Sequence, residues 1–257
     1  MSSVSVTEAL AFVRTAELPA VPKGRPVLEE VAAFDFNKAK DQAMVVGSDI
    51  VSFVKGVTEE RRRDITNSAL LAQLVANKKV PKNTNVLAWY DAYFDALTKI
   101  GWVVQSKQFV THKEKSENFS AHEAILAVAT TLLGPGATAL AVIKTTLNAL
   151  QSLDKNSPWI TLFNQESQHA SSARFQVMLA EQEESGQFLV TLMAFALTAK
   201  AKVTQVLLIK FRSNEVELKH SSGKVTINTA VLNAIREPVE QKLGNLATAF
   251  VKGLPDL

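Results

Sequence analysis

Histidine is the residue type with the widest chemical use in this sequence, because imidazole titrates near neutral pH and binds metals. The chain contains four, His112, His122, His169 and His220. No two of them share a spacing that places both on one helical face, and none forms the HExxH pattern of a zinc site. His122 and Glu123 are adjacent, so on a helix their side chains point apart. We therefore expect exposed or singly hydrogen-bonded imidazoles, with no metal and no cofactor.

Nucleophilic catalysis finds little support in the sequence. The absence of cysteine excludes a thiol nucleophile, a disulfide and a thiolate metal site. There is no G-x-S-x-G elbow, and no S-x-x-K accompanied by the other penicillin-binding motifs. The turn Gly134-Pro135-Gly136 lacks the Lys-Ser/Thr of a phosphate-binding loop, and its proline removes a backbone donor that such a loop needs. This turn is instead typical of a helical hairpin.

Acid–base catalysis is an open alternative. A glycosidase-type carboxylate pair can be assembled across strands that are far apart in sequence. Three pairs of adjacent carboxylates lie at expected element ends or turns, where hydration is their ordinary explanation: Glu29-Glu30, Glu59-Glu60 and Glu183-Glu184. The sequence thus predicts a protein that is not an enzyme, and an enzyme whose site converges from scattered residues is kept as an alternative.

The charge balance argues against a nucleic-acid partner. Lys plus Arg number 28 against 25 Asp plus Glu, which gives a net charge of +3, whereas nucleic-acid binding normally needs a concentrated basic face. The basic residues that could form a strip for anionic lipid headgroups are Arg61-Arg62-Arg63, Lys55, Lys78, Lys79 and Lys82. The aromatic residues between them fall on a helical stripe expected in the core, which leaves none to stack on bases: Trp89, Tyr90, Tyr93 and Phe94.

Ala121–Leu150 is the most apolar stretch of the chain, and the Gly-Pro-Gly turn interrupts it once. We predict two helices of about four turns each, joined by this turn. Small residues between the large apolar ones let helices approach closely, in lipid as in a protein core. The residues that we select as candidates for membrane insertion are Ile125, Leu126, Leu132, Leu133, Leu140, Ile143 and Leu147.

Two interpretations of this stretch compete. In the first, the pair is the central helical cover of the sheet, and each helix, at about 15 residues, falls short of the roughly 20 needed to cross a bilayer. In the second, the rest of the molecule restrains the hairpin until a trigger releases it into a membrane.

Helical periodicity dominates the first part of the chain. Prolines and Gly24 make Leu18–Pro26 an extended connector. Trp102–His112 alternates imperfectly at the strand period, and we predict a strand there. The predicted helices are Val6–Thr15, Asn37–Val57, Glu59–Asn77 with Thr58 as its N-cap, and a helix from Asn83 or Thr84 to Ile100.

The last third of the chain changes to strand periodicity. Its short turn-forming links permit only antiparallel neighbours, which predicts a meander. A final helix begins after Asn228 or Thr229 and runs to about Val251, with a kink or division at Pro238. The predicted strands are Arg174–Ala180, Gln187–Thr198, Val203–Arg212, Glu215–Lys219 and, at an exposed edge, Lys224–Asn228.

These elements predict an α+β fold: an antiparallel β-meander of four to six strands packed with an N-terminal helical region, a central apolar helical hairpin and a C-terminal helix. We predict a single domain over residues 1–257, with a helical subregion at about 1–168 and the sheet plus C-terminal helix at about 169–257. Because no secretory signal precedes the fold, we expect a soluble cytoplasmic product, released by a non-classical route if it acts outside the cell.

For function, the sequence favours a non-enzymatic membrane-active protein of the pore-forming or toxin type that uses the apolar hairpin. The expected partners are membrane lipid or a cell-surface receptor, with further copies of the chain in a homo-oligomer, and no nucleic acid. The alternative is a protein-binding or oligomeric assembly module, which would recruit its partner through the Lys224–Asn228 edge or the C-terminal helix.

Overall fold

One sheet organises the chain. A computed structural model describes residues 4–20, 35–80, 85–105, 107–112, 118–182, 188–200, 202–207, 210–212 and 215–254. The strands within these residues are β1 Gln42–Val46, β2 Asp49–Phe53, β3 Trp102–Val103, β4 Val110–Thr111, β5 Asn118–Ser120, β6 Gln168–His169, β7 Ser172–Gln182, β8 Phe188–Ala199, β9 Lys210–Arg212, β10 Val216–Ile227 and β11 Val251–Gly253.

Nine of these strands form the main sheet, in the order β11-β1-β2-β7-β8-β10-β3, with β4 paired to β10 and β6 to β7. β5 and β9 pair separately. β2 runs parallel to β7, with Ile50 opposite Val177, and the other pairs are antiparallel. The predicted combination of helices with a mostly antiparallel sheet is confirmed.

Helices cover both faces of the sheet. They are α1 Val6–Thr15, α2 Glu59–Lys79, α3 Val86–Lys99, α4 Ala121–Leu133, α5 Thr138–Ser152, α6 Pro158–Ser167, α7 Thr229–Leu243 and α8 Asn245–Phe250. Successive strand side chains point to opposite faces, so Met44 enters one apolar core and Val45 the other. The first core lies under α1, α2, α3, α7 and α8, and the second lies under α4, α5 and α6. The result is three layers, with the sheet in the middle.

The predicted helix Asn37–Val57 is wrong, because this segment forms the β1–β2 hairpin. Its apolar residues satisfy a helical stripe, but they also fall in two short runs that contain Val45-Val46 and Ile50-Val51, as expected of strands covered on both faces. Gly47 lies in the two-residue turn between Val46 and Asp49, with φ +57°. A Cβ there would lie 2.5 Å from Gln73 Oε1, so the turn needs glycine for conformation and for space.

The predicted strands of the last third also need correction. Glu215–Lys219 and Lys224–Asn228 fall on the single strand β10, because Ser221-Ser222-Gly223 stays extended and paired with β8 instead of turning. Lys224–Asn228 is not an exposed edge, since Thr226 and Ile227 pair with β3. Of Val203–Arg212, the described residues form a strand at β9 alone, outside the main sheet.

Smaller differences concern element ends. Trp102–His112 forms the two short strands β3 and β4 instead of one strand. Asn85 caps α3 by accepting hydrogen bonds from the N–H groups of Leu87 and Ala88; Asn83 and Thr84 lie outside the described residues, as do Glu29-Glu30, Glu183-Glu184 and most of the Leu18–Pro26 connector. The final helix contains Pro238 within α7 and divides instead at Gly244.

Candidate functional site

The apolar hairpin consists of α4 and α5, and its local sequence explains both helices. Ser120 and Glu123 form a reciprocal capping box at the start of α4: the Ser120 hydroxyl accepts from the Glu123 N–H, and the Glu123 carboxylate accepts from the Ser120 N–H at 2.8 Å. Gly134 and Gly136 have φ of +91° and +95°, so they end α4 and turn the chain into α5. Two helices joined by a tight turn are what the sequence predicts.

The inner face of the hairpin packs directly on the sheet. α4 contacts β8 and β10, and α5 contacts β2 and β7. A polar contact within this interface joins the hydroxyls of Ser52 on β2 and Thr146 on α5, at 3.1 Å. The hairpin therefore lies on the face of the sheet opposite α1, α2, α3 and α7, as one of the two outer layers.

The seven candidate insertion residues divide by depth. Ile125, Ile143 and Leu147 are fully buried in the core between hairpin and sheet. The other four are half-buried at the margin of the same core: Leu126, Leu132, Leu133 and Leu140. The structure brings all seven onto one apolar core, as both interpretations of this stretch require.

The outer face of the hairpin has almost no charge. From Ala124 to Ile143 the sequence contains no Asp, Glu, Lys or Arg, and the exposed residues on the two helices include Ala127, Thr131, Ala141 and Thr145. The outer helices of the opposite layer carry ordinary charged surfaces, with Glu59, Glu60, Arg63, Lys78 and Lys79 exposed on α2. A helical cover with apolar and small residues on both faces is unusual for a water-exposed layer.

The helices of this hairpin are short. α4 has 13 residues and α5 has 15, which correspond to about 20 and 22 Å at 1.5 Å per residue. Among the described residues, no helix combines the length and the hydropathy required to cross a membrane.

Two histidines line a cavity at the flank of α4. His112 follows β4 and His220 lies on β10, with ring centroids 6.0 Å apart in an edge-to-face arrangement. The cavity has a volume of about 260 Å³ and is closed on the helical side by Ala127, Val128, Thr131 and Leu132. Sequence analysis missed this pair, because the pairing of β4 with β10 brings together histidines that are far apart in the chain.

Burial affects the acid–base behaviour of two histidines near the hairpin. It lowers the pKa of His220, and the neighbouring His112 lowers that pKa further. Burial also lowers the pKa of His122 in the first turn of α4, although a hydrogen bond with Asn148 of α5 and the charge of Glu123 oppose this. His169 contacts the Arg174 guanidinium on the other side of the molecule. Among the residues described, no three His, Asp or Glu side chains form a group that could hold a metal.

The opposite helical layer is tied to the sheet by buried polar groups. The Tyr90 hydroxyl donates to the Phe175 and Phe195 carbonyls at 3.0 and 2.7 Å. Gln73 donates to the Val46 carbonyl at 2.7 Å. The Arg174 guanidinium lies 4.3 Å from the ring centroid of Trp89 and donates to Asn77. These bonds fix α2 and α3 in place.

The described residues of the predicted basic strip do not form a continuous surface, and Lys82 lies outside the described residues. Arg62 is fully buried, because its guanidinium donates to the carbonyls of Lys40, Val54 and Val57 and to the Gln42 side chain. Arg61 bonds to Asp64 and Asn233. The predicted aromatic stripe on α3 does lie in the core, with Trp89, Tyr90, Tyr93 and Phe94 all buried.

Comparison with known proteins gives distant similarities. No family model and no curated protein matches the chain. Among solved structures, the chain is similar to a delta-endotoxin, with 14% identity, a TM-score of 0.43, and coverage of 84% of this chain and 96% of that one. It is also similar to the Evf virulence factor, with 10% identity, a TM-score of 0.34, and coverage of 80% and 84%. With scores this low, no activity follows from the likeness.

Proposed function

We propose that this is a non-enzymatic membrane-active protein of the pore-forming or toxin type, in which the α4–α5 hairpin leaves the sheet and enters a lipid bilayer. The observation that carries the proposal is the charge-free stretch from Ala124 to Ile143, which covers the sheet while presenting small and apolar residues outward. A charged side chain at the centre of a membrane helix costs about 2.5–3.5 kcal/mol, and this part of the hairpin avoids that cost.

The contacts of the two helical layers support the hairpin as the layer that moves. α2 and α3 hold the sheet through the hydrogen bonds of Tyr90, Gln73 and Arg174. The inner face of the hairpin is mainly aliphatic, and lipid chains offer aliphatic side chains an equally apolar environment. Transfer of the hairpin from sheet to bilayer therefore breaks few strong polar contacts, whereas transfer of α2 and α3 breaks many.

The length of the helices determines how the hairpin enters lipid. A helix needs roughly 20 residues to span a bilayer, and α4 and α5 have 13 and 15. The proposal is therefore that the hairpin enters one leaflet as a unit and disturbs the bilayer from that side. A homo-oligomer that surrounds the disturbed lipid, and a cell-surface receptor that delivers the protein to it, are further parts of the proposal.

A reversible cross-link tests the proposal. The chain contains no cysteine, and the hydroxyls of Ser52 and Thr146 are 3.1 Å apart, so the double variant Ser52→Cys/Thr146→Cys places two thiols where a disulfide would join α5 to β2. We expect the reduced variant to release dye from phospholipid vesicles and the oxidised variant to release none. Thiol titration confirms which form is present.

Two results would contradict the proposal. In the first, the unmodified protein releases no dye from vesicles of neutral or of anionic phospholipid at acid or neutral pH. This result would contradict any membrane activity. Alternatively, the oxidised variant could release dye as fast as the reduced one, which removes the hairpin as the active element. The single variants Ser52→Cys and Thr146→Cys, oxidised in the same way, are the matched controls and should keep their activity.

A further inference from the structure

We propose that protonation of His220, which faces His112 in the cavity between α4 and the sheet, releases the α4–α5 hairpin at mildly acid pH. This inference rests on the proposed function, because it names the trigger for the same hairpin. It adds a regulatory site, built from two imidazoles that the sequence keeps far apart and the sheet brings together.

The strand register explains why the two imidazoles face each other. The backbone N–H of His112 donates to the backbone carbonyl of Leu218 at 2.8 Å, and His220 lies opposite Val110. His112 and His220 therefore occupy diagonal positions on the same face of two antiparallel strands, where side chains are within reach of each other. That face is the one on which α4 packs, since Leu218 on the same face belongs to the core under the hairpin.

The surroundings of His220 disfavour a positive charge. Its Nδ1 atom is buried and has no hydrogen-bond partner among the described residues, and the centroid of the Phe195 ring lies 6.3 Å from that of His220. The cavity wall on α4 consists of Ala127, Val128, Thr131 and Leu132, which provide no carboxylate. A proton on the buried Nδ1 atom of His220 therefore finds no hydrogen-bond acceptor among the described residues while α4 stays docked.

Among the described residues, the other charged groups near the cavity do not compensate. On β10, Lys224 is exposed on the same face as His220, and Lys219 and Glu217 form an ion pair at 3.4 Å on the opposite face. On α4, Glu123 is held in the capping box. On α5 the charged residue is Lys144, which is exposed, and β4 and β8 contribute no charged side chain.

The direction of the pH effect follows from these surroundings. In the docked state burial and His112 lower the pKa of His220. Once the hairpin leaves, this imidazole is fully hydrated and titrates near its ordinary value of about 6.5. The contribution of His220 to the stability of the docked state is therefore complete above about pH 6.5 and is lost as the pH falls toward the lower docked pKa. Acid favours release.

Distance measurement by electron spin resonance tests the switch without any membrane. Spin labels at Arg63→Cys on α2 and Ala141→Cys on α5, both exposed positions, report the separation of the two helical layers. We expect a longer and broader distance distribution at pH 5 than at pH 7.5, with the released fraction increased about tenfold. The double variant His112→Gln/His220→Gln should keep the short distance at both pH values, with folding verified by circular dichroism.

A variant that is expected to open the hairpin, instead of keeping it closed, controls for the possibility that the glutamine variant misfolds. His220→Arg places a cation in the cavity that keeps its proton at both pH values, and we expect the longer distance already at pH 7.5. An unchanged distance between pH 7.5 and pH 5 in the labelled protein with its natural histidines overturns the switch. The same conclusion follows if the glutamine double variant, once shown to be folded, opens at acid pH as before.

Vesicle leakage separates the failure of this inference from failure of the proposed function. Equal dye release at pH 5 and pH 7.5 would support membrane activity but contradict the histidine switch. No dye release at either pH, combined with an acid-dependent distance change, keeps the switch and removes the membrane function. Release that increases at pH 5, and does not increase in the glutamine double variant, supports both.

Discussion

Asp49 is a fully buried acidic residue of the sheet, and no cation among the described residues pairs with it. Its side chain accepts a hydrogen bond from the Tyr93 hydroxyl at 3.1 Å. Burial raises the pKa of Asp49 well above its ordinary value, and hydrogen bonds from Tyr93 and Gln73 offset this only in part. Burial of this carboxyl group destabilises the folded state, and the destabilisation increases when the group ionises.

Replacing Asp49 by Asn should stabilise the protein in a pH-dependent way. Because the folded-state pKa is raised, the stability contributed by Asp49 is complete below about pH 4 and is lost as the pH rises. We expect the free energies of unfolding of Asp49→Asn and the unmodified protein to agree near pH 4 and to differ by about 1–3 kcal/mol above neutral pH, in favour of the variant. Urea unfolding at a series of pH values measures the difference; a variant that is less stable at pH 8 would contradict this explanation.

Rules that use only neighbouring residues in the sequence can predict a helix cap, but they cannot predict which polar residues are buried by distant parts of the chain. The Thr58 cap of α2 was predictable, because a hydroxyl residue before a polar first turn needs no knowledge of the rest of the fold, and its hydroxyl does accept from the Arg61 N–H. Asp49 and Arg62 were not predictable as buried. Their burial depends on which strand and which carbonyl groups they meet, and those partners come from other parts of the chain.

At the scale of elements, the two outer layers differ in how they are held. The α2–α7 contact contains an ion pair in which Arg236 donates to both Asp64 oxygens, at 2.7 and 2.8 Å, and the Asp64 side chain is only 1% exposed. Such bidentate pairs fix orientation as well as adding energy. The hairpin layer is held mainly by aliphatic packing, which has no such directional requirement.

An acidic residue on the outer face of the hairpin should block membrane entry while sparing the fold. Ala141 is exposed on α5, so Ala141→Asp should change the free energy of unfolding by less than about 1 kcal/mol. In lipid the same carboxylate costs about 2.5–3.5 kcal/mol, and we expect vesicle leakage to fall by at least about tenfold.

The matched control is Ala230→Asp, an exposed alanine on α7 in the opposite layer. It introduces the same charge on a helix that is not proposed to enter lipid, and its leakage should equal that of the unmodified protein. If both variants lose activity equally, net charge rather than hairpin insertion governs the effect. If Ala141→Asp keeps full activity, the outer face of α5 does not enter the bilayer.

The element most seriously mistaken from sequence is the β1–β2 hairpin. The periodicity of apolar residues distinguishes a strand from a helix when one face of the element is exposed to solvent. β1 and β2 are buried on both faces, so their apolar residues do not alternate with polar ones. The turn at Gly47-Ser48 was the usable signal. The apolar run broken by Gly-Pro-Gly was a clearer signal, since it predicts helices on either side of the turn, and the structure has α4 and α5 on this stretch.

At the scale of the whole molecule, the sheet separates two cores, and each helical layer rests on its own. Loss of the hairpin layer exposes the second core but leaves α1, α2, α3 and α7 packed on the first. The structure therefore permits partial opening without global unfolding. The cavity that could trigger the opening could not be predicted, because it depends on the register of β4 against β10.

Hydrogen exchange should reveal this separation. At neutral pH we expect the amides of α4 and α5 to exchange at least about tenfold faster, after correction for intrinsic rates, than those of β7 and β8, because the central strands open only with the whole fold. The amides of α2 and α3 provide the comparison. These two elements are helices like α4 and α5, but their side chains form hydrogen bonds to the sheet. Equal protection of α4–α5 and β7–β8 would mean that the hairpin opens only on global unfolding.

The hairpin precedes in the chain three of the strands on which it lies, β7, β8 and β10. During translation, a nascent polypeptide that has emerged from the ribosome as far as Ser152 exposes both helices, while none of those three strands has yet emerged. Until the ribosome has added them, the inner faces of the helices have no sheet to cover them, and apolar surface exposed in this way attracts chaperones and other nascent chains. The apolar inner residues of the hairpin thus require protection from the time they emerge until the sheet has formed.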